Sequence, residues 1–267
     1  MKVSMAQMAI KFEDKKFNME KALSLFEKAA EEKTDFIIFP EMTLTGFSMH
    51  TERIGEDIKN SETIRFFEGC AKKYNMGVCF GMVRLSGEDA LNSAVIMDKE
   101  GNVLGVYDKI HPFSGGHEAK FYKGGENIIL AEFEGITLSP FICYDLRFPE
   151  IFQAASIEAF FLPVIGNWPK IRQQYIGSIL KARAIENQSY ACFVNTTGFD
   201  GKVLYGGGSV AFDPWGELII EAGEEEGIYS FELDIDMPAF VRDSFKLRQD
   251  RRNDLYSRLY EKMAGRK

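Results

Sequence analysis

The chain has little of what usually gives a function away. Its 267 residues include four cysteines, three histidines and two tryptophans. The cysteines, at positions 70, 79, 143 and 192, are far apart and form no C-x-x-C unit. That spacing offers no paired-cysteine zinc site and no disulfide framework, and a chain this long buries a core without either. His111 and His117 with Glu118 match no closed zinc motif, so they read as loop residues, solvated or packed beside a site, and no metal is expected. There is no excess of positive charge: 32 Lys and Arg face 40 Asp and Glu, for a net charge of -8 and a pI near 5.1. Bulk attraction to nucleic acid is therefore not expected. No apolar run is long enough for a bilayer, and MKVSMAQMAIKFEDKK turns charged too early for a signal peptide. The expectation is a cytoplasmic protein with reduced thiols and no membrane partner. G-x-x-x-x-G-K-[ST] and the dinucleotide G-x-G-x-x-G are absent too, so Gly206, Gly207 and Gly208 read as a tight bend and no cofactor is expected.

What is present is an ordinary globular composition, 45% hydrophobic and 27% charged, with 23 phenylalanines for the core. VSMAQMAI, DFIIFPEM, MGVCFGMVR, LNSAVIMD, NVLGVYDK, NIILAEF, ITLSPFI, EAFFLPVIG, YACFVNTTG and IYSFELD read as strands. GGSVAFDPWGELIIEAG reads as two more, broken at DPWG. Several show no polar alternation, the mark of strands covered on both faces. Ala22, Leu25, Phe26 and Ala29 share one helical face behind a cap at Asp14, and Ile64, Phe67, Ala71 and Tyr74 share another. Further helices are predicted from Pro149, over 171–187 with Ile179, Ala182 and Ile185 on the apolar side, and in the charged C-terminal tail. No Pro-, Ser- or Gly-rich linker divides the chain. It reads as one α/β domain over 1–267, two sheets in the middle and helices outside.

Three reactive residues stand just past three apolar strands: Glu41 after DFIIFP, Lys109 after VLGVYD and Cys143 after ITLSPFI. Ligand sites in α/β sheets gather at strand C-termini, so neighbouring strands would bring the three together. Each has a bland reading as well: a buried thiol, a cap or surface charge, a solvated lysine. Together they make a complete acyl-transfer set. A cysteine beside a cation is a nucleophile with a lowered pKa, and Lys109 supplies the cation. Lys109 and the Tyr144 backbone N–H would hold an oxyanion, and Glu41 would shuttle the protons.

The segments around these residues resemble the nitrilase superfamily of carbon–nitrogen hydrolases. They are FPEMTLTGFS (39–48), YDKIHPF (107–113), ICYDLRFPEIF (142–152), GNWP (166–169), KARAIENQSY (181–190), NTTGFDGKVLYGGGS (195–209) and DPWGELI (213–219), in order along most of the chain. The resemblance implies a four-layer α-β-β-α sandwich, a Glu41–Lys109–Cys143 triad supported by Glu118, and a homodimer or higher homo-oligomer with the C-terminal tail in a subunit contact. PFICYDLRFPEIF and NWPKIRQQYIGSILKARAIENQSY are similar to the omega-amidase branch, which deaminates 2-oxoglutaramate and 2-oxosuccinamate. Pro112 where Leu is usual and QQY (173–175) where a His then Trp is common depart from that branch. A carboxylate on such a substrate calls for a cation, with Arg147 and Arg172 as candidates, while Trp168, Phe113 and Tyr175 would shape the pocket. The alternatives are an N-carbamoyl or other small aliphatic amide hydrolase with the same triad, and a non-catalytic scaffold.

Overall fold

Apolar runs without polar alternation become strands buried on both sides. The computed structural model describes residues 1–265, and in it DFIIFP forms the strand Phe36–Ile38. Phe36 and Ile38 turn toward a second sheet, while Ile37 and Phe39 turn toward helices. The same division runs along Gly77–Ser86, where Cys79 faces the sheet and Val78 and Phe80 face the helices. Each face has its own apolar partner, so no polar position is needed.

The first sheet runs in the order Gly227–Glu232, Lys2–Gln7, Phe36–Ile38, Gly77–Ser86, Asp89–Met97 and Val103–Asp108, with the short Glu56–Asp57 also beside Gly77–Ser86. The second runs Leu218–Glu221, Val210–Phe212, Tyr190–Asn195, Phe161–Gly166, Ile136–Leu138 and Ala131–Phe133, with Phe141–Ile142 also pairing with Phe161–Gly166. Helices Lys15–Glu31 and Glu62–Tyr74 cover the first sheet through Ala22, Phe26, Ala29, Phe67 and Ala71. Helices Pro149–Ala155 and Ile176–Asn187 cover the second through Phe152, Ala155, Leu180 and Ala184. The result is the expected four-layer α-β-β-α sandwich. The caps also form as expected. Asp14 accepts from the Phe17 N–H at 3.2 Å, and Pro149 opens its helix, where a missing N–H costs nothing.

Several expectations change. ITLSPFI is not one strand but Ile136–Leu138 and Phe141–Ile142, interrupted at Ser139–Pro140, where proline has no N–H to give the ladder. NIILAEF shortens to Ala131–Phe133. The segment 171–187 begins as a 3-10 turn over Lys170–Tyr175, and the helix Ile176–Asn187 buries Ile176, Leu180, Arg183, Ala184 and Asn187. Ile185 is exposed, so the face chosen from sequence was rotated. Buried Arg183 explains the error: it donates to the Leu146 carbonyl at 2.8 and 3.2 Å, which lets a charged residue lie inward. The last helix, Asn253–Ala264, buries nothing and leaves Leu259, Tyr260 and Met263 exposed. Residues 266 and 267 of the tail lie outside the described residues. Among the described residues no helix is long and apolar enough to cross a membrane.

Candidate active site

The strands that carry Glu41 and Lys109 are not neighbours, because Gly77–Ser86 and Asp89–Met97 lie between them, and Cys143 follows a strand of the other sheet. Convergence comes from stacking two sheets, not from adjacency in one. Glu41 sits just past Pro40, in a turn held by Thr43, whose hydroxyl donates to the Pro40 carbonyl at 2.6 Å. The turn lies directly on Gly81 of the neighbouring strand, where a Cβ would stand 2.8 Å from Glu41 Cα. Lys109 ends its strand with its N–H on the Asn92 carbonyl at 2.8 Å. Cys143 has φ +49°, a left-handed conformation uncommon for any residue but glycine, at the sharp exit from Phe141–Ile142.

Asp145 secures that exit. Fully buried, it accepts from the Tyr107 hydroxyl at 2.8 Å, the His111 N–H at 3.0 Å and the Ile142 N–H at 3.2 Å, and it lies 2.9 Å from His111 Nδ1. One carboxylate therefore ties the cysteine turn to the loop that follows Lys109. His111 also stacks on Phe148 at 3.7 Å, which places it beside the site as a packing residue.

At the bottom of the site Lys109 Nζ lies 2.9 Å from Glu41 Oε1 and 2.8 and 3.0 Å from the two Glu118 oxygens. All three groups are buried. Glu118 also accepts from the Phe113 N–H at 2.6 Å, and Glu41 Oε2 from the Asn167 N–H at 2.9 Å. Asn92 Nδ2 donates to both carboxylates, at 2.7 Å to Glu41 and 2.8 Å to Glu118. Burial alone would lower the Lys109 pKa, but the charges of Glu41 and Glu118 outweigh it and the ammonium is held above its ordinary value.

The cysteine does not follow the sequence expectation of a lowered pKa. Cys143 keeps some surface toward the cavity, yet it lies deep within the protein, and its thiol is pushed well above the ordinary thiol value. Burial is the largest cause and the charge of Glu41 the next. Lys109 acts the other way but is outnumbered, since Glu118 adds a second negative charge. Burial and the two carboxylates together favour the protonated form of this thiol.

Above this cluster opens a cavity of about 650 Å³ reached by Lys109, Cys143, Tyr144, Phe113, Trp168 and both arginines, Arg147 and Arg172. Arg147 lies over Trp168 at 5.0 Å and Tyr175 at 5.5 Å, and Arg172 over Phe113 at 4.9 Å. Neither guanidinium has a carboxylate within salt-bridge distance among the described residues, so Arg147 does not pair with Asp145 or Glu150. Tyr175 is not part of the cavity lining; it backs Arg147 from outside. Sequence reasoning missed Asn92, Asn167, Asp145, and the wall residues Phe47, Met49 and Tyr205. The available signal was for Asn92, a polar residue inside an apolar strand run.

The chain is similar in sequence and in fold to known proteins. The sequence profile of the Carbon-nitrogen hydrolase family matches residues 2–243. The chain is 33% identical to a 2-oxoglutaramate amidase of Bacillus subtilis over 258 residues, covering 95% of this chain and 98% of that protein. It is 31% identical to a hydrolase in the agr operon of Staphylococcus aureus over 262 residues, covering 96% and 100%. In structure it superposes, with a TM-score of 0.87 and 26% identity, on a CN-hydrolase superfamily protein of Xanthomonas campestris with an arsenic adduct in its active site, covering 94% and 96%. The chain belongs to the carbon–nitrogen hydrolase family, in its omega-amidase-like branch, and is an amidohydrolase that uses a catalytic cysteine.

Proposed function

We propose that this carbon–nitrogen hydrolase releases ammonia from the terminal amide of a small omega-amide acid such as 2-oxoglutaramate or 2-oxosuccinamate, with Cys143 as nucleophile. The observation that carries the substrate class is the pair Arg147 and Arg172, two cavity guanidiniums with no protein carboxylate to satisfy them among the described residues. A substrate carboxylate supplies the missing partner, and a guanidinium is suited to hold it by two parallel hydrogen bonds. Trp168 and Tyr175 beside Arg147, and Phe113 beside Arg172, favour guanidinium orientations preset for the substrate. The cavity size is permissive: about 650 Å³ takes a five-carbon acid with room for water.

In the reaction Glu41 takes the Cys143 proton as sulfur attacks the amide carbon. The carbonyl oxygen becomes an oxyanion held by Lys109 and the Tyr144 backbone N–H. Glu41 returns the proton to the leaving nitrogen, ammonia departs, and a thioester remains. Glu41 then draws a proton from water, the resulting hydroxide attacks the thioester, and the expelled sulfur recovers the proton from Glu41. Glu118 keeps Lys109 in place throughout. The exposed apolar side of Asn253–Ala264 fits the same reading of the whole molecule as one domain whose tail contacts a second copy.

The test is ammonia release from 2-oxoglutaramate by the wild type, Cys143→Ala, Arg147→Met and Arg172→Met. Cys143→Ala abolishes release, and at least one arginine variant raises KM for the acid without raising it for a neutral amide of the same length. Undiminished activity in Cys143→Ala refutes the mechanism. Equal effects on charged and neutral amides refute the substrate class, and carbon dioxide accompanying ammonia from a carbamoyl compound identifies that chemistry in its place.

A further inference from the structure

We propose that Asn92 is the positioning residue that sets the protonation of the active site, by giving one neutral amide to both buried carboxylates. The inference rests on the roles assigned above to Glu41, Lys109 and Cys143. Asn92 lies in the strand Asp89–Met97, between the strands Gly77–Ser86 and Val103–Asp108, and is buried. Its side-chain nitrogen donates to Glu41 Oε1 at 2.7 Å and Glu118 Oε1 at 2.8 Å. Its main-chain carbonyl accepts the Lys109 N–H at 2.8 Å. A single residue is thus bonded to all three members of the charged cluster.

The chemistry of an amide explains why the position is not acidic, basic or apolar. Two carboxylates converge on one ammonium, leaving one excess negative charge in a buried place. A second cation would cancel that charge and remove the base. A third carboxylate would add repulsion, and an apolar side chain would leave two acceptors short of donors. The amide supplies two N–H groups and no charge. Its orientation is fixed as well: Asn92 Oδ1 is buried without a hydrogen-bond partner, a cost accepted only because a flipped amide would aim that oxygen at two carboxylates. The Lys109 ammonium and the Asn167 N–H also donate to Glu41. Glu118 and Cys143 also interact with this cluster, and the Tyr122 and Tyr205 hydroxyls feel its charge while donating to the Ser48 carbonyl and to Asp200. Asn92 is the neutral donor shared by the two acids.

The experiment compares wild type, Asn92→Asp, Asn92→Leu, Glu41→Gln and Cys143→Ala. Each is read by the pH profile of kcat/KM for amide hydrolysis, scaled to the fraction of enzyme whose Cys143 reacts with an alkylating probe, or to folded protein by circular dichroism for Cys143→Ala. Loss of a hydrogen bond to a charged group corresponds to about 10- to 100-fold. The expected result is a fall of that size in kcat/KM for both Asn92 variants. The acidic limb of the profile moves up by about one pH unit or more, because the base loses a donor that favours its charged form. A fall with the limb unmoved means Asn92 is only structural and overturns the proposal. Undiminished activity in Cys143→Ala or Glu41→Gln sinks the underlying mechanism instead, whatever Asn92 does. Wild-type protein labelled at asparagine gives a test that needs no folded variant. The Asn92 side-chain amide protons should shift with the same titration that limits activity at low pH, and indifference to it overturns the proposal.

Discussion

Replacing Lys109 by methionine keeps an unbranched side chain, one atom shorter, and removes its charge, which isolates what the buried cation does. Nζ is 2.9 Å from Glu41 and 2.8 Å from Glu118, and all three side chains are at most 1% exposed. At an effective dielectric of about 20 each contact is worth roughly 6 kcal/mol of Coulomb energy before the desolvation of the ions is subtracted. After that subtraction, breaking a buried ion pair from one side costs about 3–5 kcal/mol, a large share of the roughly 5–15 kcal/mol that holds a domain folded. The pH dependence is the sharper signature. In the wild type the folded Lys109 pKa lies above its unfolded value, so its contribution is complete below the unfolded lysine value of about 10.4 and is lost only as pH rises through the higher folded one. It adds no slope at neutral pH. In Lys109→Met the stranded carboxylates can be relieved only by protons. Folding then takes up protons, and stability rises as pH falls by up to about 1.4 kcal/mol per unit for each proton bound. Urea unfolding of both proteins at about pH 6 and about pH 8.5 measures this. A variant whose stability runs parallel to that of the wild type across this range, or falls by less than about 1 kcal/mol at the higher pH, refutes the reasoning.

Four further outcomes follow from distances and burial. The alkylation rate of Cys143 should keep climbing through pH 9, since burial and two carboxylates push its thiol up; a plateau below about pH 7 would mean a stored thiolate. Cys70 and Cys79, pushed up to about 11 and about 12 by burial and absent from the cavity wall, should label more slowly at every pH. Gly81→Ala places a methyl 2.3 Å from the Met42 nitrogen and 2.8 Å from Glu41 Cα, so the base must move; kcat should fall by about 100-fold with the fold retained by circular dichroism, and unchanged kcat contradicts the assigned register. Asp145→Asn offers an N–H to a cluster of donors, and urea unfolding should show a loss of about 1–3 kcal/mol for each buried donor left without an acceptor, with lower kcat as the turns of Lys109 and Cys143 uncouple.

The strand run DFIIFP predicted a doubly covered strand because burial on both faces leaves a direct mark in composition, and the Asp14 and Pro149 signals worked because caps are local chemistry. The failures are where a distant partner decides. Arg183 turns inward because the Leu146 carbonyl, far off in sequence, accepts from it, which rotated the assumed apolar face of Ile176–Asn187. The set Glu41, Lys109, Glu118 and Cys143 was legible from position and resemblance, and the structure brings these residues together. What position alone could not supply was the count of charges around the thiol. Lys109 beside a cysteine suggests a lowered pKa only until Glu41 and Glu118 are seen to share that lysine. Asn92 and Asp145 escaped notice because each acts through hydrogen bonds to segments remote in sequence.

The charge count leads to an outcome of unusual sign for Glu118→Gln. Moving a proton from Cys143 to Glu41 leaves the net charge of the cluster unchanged, whereas sending it to solvent would add a second negative charge to a buried place. The proton therefore stays in the site, and one carboxylate must have a lone pair to receive it. Glu118 is already engaged by Lys109, Asn92 and the Phe113 N–H. Glu41 Oε2 has only the Asn167 N–H, which leaves it the freer acceptor. Glu118→Gln removes a negative neighbour of the thiol without touching that acceptor, so Cys143 should alkylate faster at neutral pH than in the wild type. Amide hydrolysis should nonetheless fall, by about 10- to 100-fold, because Lys109 loses one of its two anionic anchors and no longer meets the oxyanion in a fixed place. Parallel rate measurements with iodoacetamide and with the amide substrate decide the matter. If both rates fall together, Glu118 was not holding the thiol in its protonated form, and the account of a base-driven rather than thiolate-driven cysteine is wrong.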